Sequence, residues 1–354
     1  MPTSSAHSDS NYRAVNHYIS AEIIDKGIGI NRLDSVTSTV GALHRGFREY
    51  GWTIENRKES PEGPSLKYLV SPDGDQELRM VDGKIWRHPQ LTDLVCKSKT
   101  MTKKFLGLNS VPFPSGAEFG LDQKQFAEAY LEKMGGLSVI KPAGAGGSKG
   151  VTIGVTPGGF EAAWNHAVRY KGTGDQVIVE EFVRGIELRL LVVGGKLAGA
   201  VIRNQPFVVG DGASTIDELV VQLTQERSTN LRASKGTVNV MEDFLRTQGY
   251  ERTSIPAVDE VILLAPFTIL RHGGGTIDVT DAISDDLIAL AIKAVQSIPN
   301  LEVAGVDILT ESLQDADSAR VVEVNTAAAL DLHRYPTYGK EQNVIQKIVD
   351  YFCK

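Results

Sequence analysis

The chain has 354 residues, of which 37 are basic and 44 acidic, for a formal net charge of −7, and 42% are hydrophobic. That size is roughly two domains' worth at ~100–200 residues each, with enough apolar content to bury cores, so disorder is excluded as the dominant state. The acidic balance argues against a nucleic-acid partner, which calls for a basic face, and no run reaches the ~18 apolar residues of a membrane span. Cys96 and Cys353 have neither metal-type spacing nor the numbers for a disulfide framework, which points to a reducing cytoplasm.

The polar start has no apolar stretch behind a basic one and reads as a disordered tail to about residue 14, not a signal. Between Tyr18 and Leu33 the spacing predicts a helix followed by a short strand. The segment from Lys67 to Trp86 holds two alternating runs punctuated by Asp73-Gly74 and Asp82-Gly83, both hairpin signals. Residues 1–95 are therefore expected to form a small N-terminal α/β domain. From Cys96 a basic helix runs to a turn at Val111-Pro112-Phe113-Pro114, and a second helix is predicted from an Asp122 N-cap to Gly135-Gly136.

Strand-like runs follow at 137–142, 151–155, 176–183, 187–193 and 196–202, the last two joined by Gly194-Gly195. Thr215 with Glu218 forms a capping box ahead of one helix, and Ser284 caps another over about 285–298. Two final strands cover 303–309 and 319–325. Strands and helices mix without strict βαβ alternation, which predicts an α+β fold of antiparallel sheets.

Three groups of residues could carry chemistry. The run Ala143-Gly-Ala-Gly-Gly-Ser-Lys-Gly150 lies between two strands, not between a strand and a helix, and lacks Gly-Lys-Ser/Thr. It is neither a dinucleotide fingerprint nor a P-loop. A glycine-rich hairpin tip of this kind either folds over a triphosphate through its bare N–H groups or is a plain connection. Second, Asp307 lies in one late strand, and Glu323 and Asn325 lie two apart on one face of the other. If the strands pair, three oxygen donors converge among valines, where a cation such as Mg²⁺ would offset their burial; otherwise they form a solvated face. Third, Lys141 precedes the glycine run and Lys99 lies upstream; each is a nucleotide-directed cation or a solvated lysine.

The order Lys99, Lys141, glycine loop, VEEFVRGIELRLLVV, Asp307 and Glu323-x-Asn325 resembles the ATP-grasp superfamily. With SKTMTKKFL, the VVGDG-STI-EL string and GGGTIDVTD, the chain is similar over about residues 18–345 to the ATP-grasp region of cyanophycin synthetases and bifunctional glutathione synthetases. The resemblance implies two α+β subdomains gripping ATP, at 96–185 with the glycine loop and at 186–354 with the metal site. It implies a cytoplasmic, ATP-dependent carboxylate-amine ligase that forms an amide through an acyl phosphate, from amino-acid or peptide substrates. It also implies ATP and Mg²⁺, with Mn²⁺ an alternative ion, and a homodimer. The alternatives are a kinase of a small carboxylate or amino acid, and a nucleotide-binding module without catalysis.

Carried over residue by residue, Lys99 and Lys141 match the nucleotide lysines, and Gly146, Gly147, Ser148 and Lys149 the phosphate loop. Glu180, Glu181, Phe182 and Val183 match the adenine hinge and Glu187 the ribose acid. Asp307, Glu323 and Asn325 match the metal ligands, and Arg203 an arginine facing the phosphates or acyl group. The family's arginine and asparagine before its S/T-G-G turn fall on Ala265 and Ile269, with Arg271 and His272 nearby as substitutes. Its N-x-x-P-G is Asn325-Thr-Ala-Ala-Ala329, and its next arginine is Asp331, while His333 matches. The altered segment implies a different substrate, and Asp331 and His333 are the candidate residues for it, Asp331 for a cationic amine.

Overall fold

The computed structural model describes residues 5–58, 65–81, 84–87, 90–147, 149–171 and 175–354. Ser148 of the glycine loop and the Asp82-Gly83 turn lie outside the described residues. Helix α1 (Ser5–Ile19) occupies most of the segment expected to be a tail. It ends in a π-turn at Ser20–Ile24, and the strand expected before Leu33 reduces to a single bridge from Leu33 to Asn230. Helix α2 (Thr39–Glu49), capped by Ser38, leads into a four-stranded antiparallel meander of β1 (Thr53–Lys58), β2 (Ser65–Val70), β3 (Glu77–Val81) and β4 (Lys84–Trp86).

Helices α3 (Gln90–Lys97) and α4 (Lys99–Leu108) break at Ser98, whose hydroxyl accepts from the Met101 N–H; the single basic helix read from the sequence is thus two. Beyond them, β5 (Gly116–Gly120), α5 (Lys124–Met134), β6 (Ser138–Pro142), β7 (Thr152–Val155), α6 (Phe160–Arg169) and β8 (Gln176–Glu181) build a second sheet in the order β5-β8-β6-β7. Asp122 lies inside a 3₁₀ turn ahead of α5 and is not its cap; the Gln123 side chain accepts from the Gly120 N–H instead. Gly135 does end α5, in the left-handed region at φ 67° that a β-carbon disfavours. One face of this sheet packs Ile140, Val155, Val177 and Val179 against Leu131, Phe160 and Trp164. Its other face carries Val139, Lys141, Ile178 and Glu180, by the two-residue alternation of strands.

The third sheet positions the site. Strands β9 (Ile186–Val193) and β10 (Lys196–Asn204) form the hairpin at Gly194-Gly195. After them come β11 (Phe207–Val209), α7 (Ile216–Ser228), α8 (Glu242–Thr247), β12 (Val261–Leu263), β13 (Gly275–Asp278), α9 (Asp285–Gln296), β14 (Val303–Thr310) and β15 (Arg320–Asn325). The capping box at Thr215 and Glu218 and the cap at Ser284 are both present. Helices α10 (Asp331–Arg334) and α11 (Val344–Cys353) close the chain.

The large sheet runs β13-β10-β9-β14-β15, antiparallel throughout. One face is apolar along its length: Leu188, Leu190, Ile202, Val306 and Ile308 pack on α9 and on Val15 and Ile19 of α1. The other face changes character along β9. Leu191 and Val193 pack with Phe47, Leu69 and Leu78 of the N-terminal region and Ile348 of α11, whereas Glu187 and Arg189 face the polar site. A strand that is apolar on both faces at one end and on one face at the other explains why β9 reads as Glu-Leu-Arg-Leu-Leu-Val-Val. Among the described residues, no helix is long and apolar enough to cross a membrane.

Candidate active site

The register of the large sheet assembles the site. Val201, Arg189, Asp307 and Glu323 stand opposite one another on four adjacent strands, with Arg203 opposite Glu187 on one side and Gly305 opposite Asn325 on the other. Directly opposed side chains in an antiparallel ladder share a face, so residues from 187 to 325 form one polar row. Arg189 grips Asp307 bidentately, through Nε to Oδ1 and through Nη2 to Oδ2 at 2.8 Å, and Asn325 Nδ2 donates to the same Oδ2 at 3.2 Å. Burial disfavours a charged Arg189, but the charge and hydrogen bonds of Asp307, together with the charges of Glu187 and Glu323, outweigh it and raise the guanidinium pKa above its ordinary value. Arg189 passes close to Gly305, where a β-carbon would stand 3.2 Å from its Cδ, a tight contact that glycine avoids.

Glu187 is held from two sides, by Arg203 Nη1 at 2.6 Å and by the Thr268 hydroxyl at 2.8 Å. Glu323 forms no hydrogen bond or ion pair among the described residues and is the carboxylate most open to a cation. Two carboxylates and an amide oxygen, with no imidazole or thiolate, are hard donors that fit Mg²⁺ or Mn²⁺. No group of three or more Asp, Glu, His or Cys side chains suited to a metal occurs among the described residues. Two carboxylates and one amide would leave positions on such an ion for ligand phosphates and water.

Across the gap stands the face of the smaller sheet that carries Lys141 and Glu180. Lys141 bonds one oxygen of Glu180, and Lys103 of α4 bonds the other at 2.6 Å. Burial would raise the Glu180 pKa, but the two ammonium charges outweigh it and hold the carboxyl below its usual range. Lys99, one turn before Lys103, donates to the carbonyls of Ala145 at 2.8 Å and Ala143 at 3.5 Å, tying α4 to the start of the glycine loop. Burial lowers the Lys99 pKa, Glu323 opposes that and Lys141 adds to it, so Lys99 lies within electrostatic reach of both the metal-candidate strand and the smaller sheet. Gly146, Gly147 and Lys149 are exposed at the hairpin tip, with Gly147 at φ 65°.

At the hinge, the Glu181 N–H donates to Ser115 and the Phe182 N–H to Leu137. Among the described residues, Val183 is the hinge position whose N–H makes no backbone hydrogen bond.

Four expected residues are placed elsewhere in role. Arg271 is exposed in the turn Leu270–His272 and bonds none of the other site residues. His272 pairs with Asn239 at 3.1 Å. Asp331 accepts from Thr39 of α2 and from Arg334 Nη1 at 3.1 Å, so it fastens α10 to the N-terminal region. His333 is 1% exposed against Gly199, and burial, with the charges of Arg189, Arg232 and Lys347, pushes its pKa down to about 3. A sealed, neutral imidazole is not a surface for substrate, and that expectation is corrected.

Three residues of the arrangement were not singled out from the sequence. Lys103 follows Lys99 by four positions, one helical turn, and Arg189 follows Glu187 by two, one strand repeat. Periodicity would have found both. Thr268 comes from a loop with no regular period.

Residues 97–207 match the family described as phosphoribosylglycinamide synthetase, ATP-grasp (A) domain. The structure of a bifunctional glutathione synthetase from Pasteurella multocida superposes with a TM-score of 0.60 at 24% identity, over 88% of this chain and 42% of that one. The chain has the ATP-grasp fold. The cyanophycin synthetase of Synechocystis sp. is 31% identical to it over 271 residues, covering 73% of this chain and 30% of the relative. The glutathione biosynthesis bifunctional protein GshAB of Clostridium perfringens is 29% identical over 273 residues, covering 73% and 34%. The chain thus spans about a third of the length of these curated relatives. In this ATP-grasp fold, the matched family segment runs from α4, with Lys99 and Lys103, through the glycine loop and hinge to Arg203 and Asn204.

Proposed function

We propose that the chain is an ATP-dependent carboxylate-amine ligase, joining an amino acid to another amino acid, a short peptide or a small metabolite through an acyl phosphate. The observation that carries the reading is the cross-strand row Arg189, Asp307 and Glu323, facing Lys99 and Lys141 across the gap between the two sheets. Phosphoryl transfer asks a protein for positioning and charge compensation more than covalent chemistry. This gap supplies cations on one wall and oxygen donors on the other.

In this mechanism the Val183 N–H meets the adenine and Glu187 the ribose. Lys99 and Lys141 take the phosphates, and Arg203, one bond from Glu187, faces the group being transferred. Asp307, Glu323 and Asn325 would hold a Mg²⁺ ion, which would supply neutralisation of phosphate charge. The glycine loop, tethered by Lys99 at its first residues and exposed at its tip, covers the phosphates and keeps water from the acyl phosphate. Two free cysteines, Cys96 with its pKa pushed up by burial to about 12, suit a reducing cytoplasm.

The test is ADP release by the full chain with ATP and Mg²⁺ over pairs of amino acids and short peptides, with mass detection of products. An amide supports the ligase. A phosphorylated product without amide supports a kinase, and nucleotide binding without turnover supports a module. In the same assay Glu323→Gln should lower kcat by the ~10²–10³ that follows loss of one electrostatic stabiliser, with an unchanged melting temperature. A near-normal rate would remove Glu323 from the metal site.

A further inference from the structure

The pairing around Glu180 assigns a part to a residue outside the nucleotide and metal sets. Glu180 is 3% exposed, and each of its oxygens bonds a different lysine. The two lysines are not equivalent. Lys103 is anchored three ways, by Glu180 at 2.6 Å, by the carbonyl of Pro114 at 2.9 Å, and by the face of Phe113 at 5.7 Å from the ring centroid. Lys141 has Glu180 as its one hydrogen-bond partner among the described residues. It also lies near enough to Lys99 for the two charges to repel. Of the two, Lys141 is the cation placed to turn toward an arriving triphosphate.

A buried carboxylate that loses its only counter-charge is strongly destabilised. If Lys141 alone neutralised Glu180, moving to a phosphate would strand that charge, and nucleotide binding would carry the penalty. We propose that Lys103 is a positioning residue: it keeps Glu180 compensated while Lys141 exchanges the carboxylate for the triphosphate of ATP. The inference rests on the ATP-binding reading above and deepens it, by dividing two buried lysines into one that holds and one that moves.

The experiment is calorimetric titration of Mg²⁺-ATP into the full chain and three variants, with thermal melts as a control on folding. Lys103→Met should weaken ATP binding about tenfold or more, the scale of ~1.4 kcal/mol or above, because Lys141 then becomes the sole partner of Glu180. Lys103→Arg, which keeps a fixed cation, should stay within about threefold of the parent, the scatter of conservative changes. The deciding variant is Lys103→Met with Glu180→Gln. With no charge left to compensate, ATP affinity should return to near the parent value.

A Lys103→Met protein that binds ATP normally overturns the proposal. So does a folded Lys103→Met protein whose weak binding Glu180→Gln does not rescue. Should Lys103→Met fail to fold, Lys103→Gln takes its place, keeping a hydrogen-bond donor without the charge: it should weaken ATP binding about tenfold, and normal binding overturns the proposal. A parent chain that binds no ATP would instead defeat the functional reading, so the two failures are distinguishable.

Discussion

Charge pairs occur in two places on this chain with opposite consequences. In the gap between the sheets, Arg189–Asp307, Arg203–Glu187 and Lys141–Glu180 join different strands and present a polar row to the space between them. In the segment after β15, Asp331 and Arg334 are three residues apart on one short helix, and both also bond Thr39, with Arg334 reaching Thr37 as well. The first set holds charge ready for a ligand; the second spends it on fastening α10 to the N-terminal region. Charged residues near a site are thus not equally parts of it. What separates them is whether a pair joins neighbouring strands of one sheet or ties one segment of the fold to another.

The largest expected effect breaks the first set. Asp307→Asn removes the carboxylate that grips buried Arg189 and leaves it only the charges of Glu187 and Glu323, and should cost about 3 kcal/mol in urea unfolding as well as turnover, the low end of the range for removing one partner of a buried pair. A loss below about 1 kcal/mol would mean that Arg189 reaches water, and the row would be more open than its burial indicates.

The next effect probes the floor beneath the row. The His333 pKa, about 3 when folded against an ordinary 6.5, makes the unfolded chain bind the extra proton between those values. Its stabilisation is therefore complete above pH 6.5 and is lost as pH falls toward 3, with an expected total of a few kcal/mol. His333→Gln should flatten the slope of melting temperature between pH 7 and 5. An unchanged slope would assign the acid sensitivity to other groups.

The smallest effect tests the second set. Asp331 has a 39% exposed side chain, so screening limits its pair with Arg334. Asp331→Asn should cost about 1 kcal/mol or less and should alter KM for basic and neutral acceptors alike. A selective loss with basic acceptors would return Asp331 to the site and erase the contrast between the two regions.

Much of this was legible in sequence because it is local. The glycine-rich hairpin between β6 and β7, the turn between β9 and β10, the caps at Thr215 and Ser284 and the alternation through Glu323 and Asn325 each depend on neighbours within a few residues. The break at Ser98 was less so, since Lys97-Ser98-Lys99 fits either a continuous helix or an N-cap. The segment from Asn325 to Tyr335 misled because a carboxylate and an imidazole look alike in sequence whether they face a ligand or a neighbouring helix.

By itself, then, the sequence determined the antiparallel α+β architecture, the strands and loops that carry the nucleotide and metal candidates, and the ATP-grasp likeness, all set by short-range periodicity, turns and motif order. Only the tertiary structure decided which charges meet: Arg189 with Asp307 118 positions away, Lys103 with Glu180 77 positions away, Thr39 with Asp331 292 positions away. The reason is physical. A backbone pattern follows from neighbouring residues, whereas the partner of a buried charge depends on the register between strands and on the packing of sheets that only the folded chain brings together.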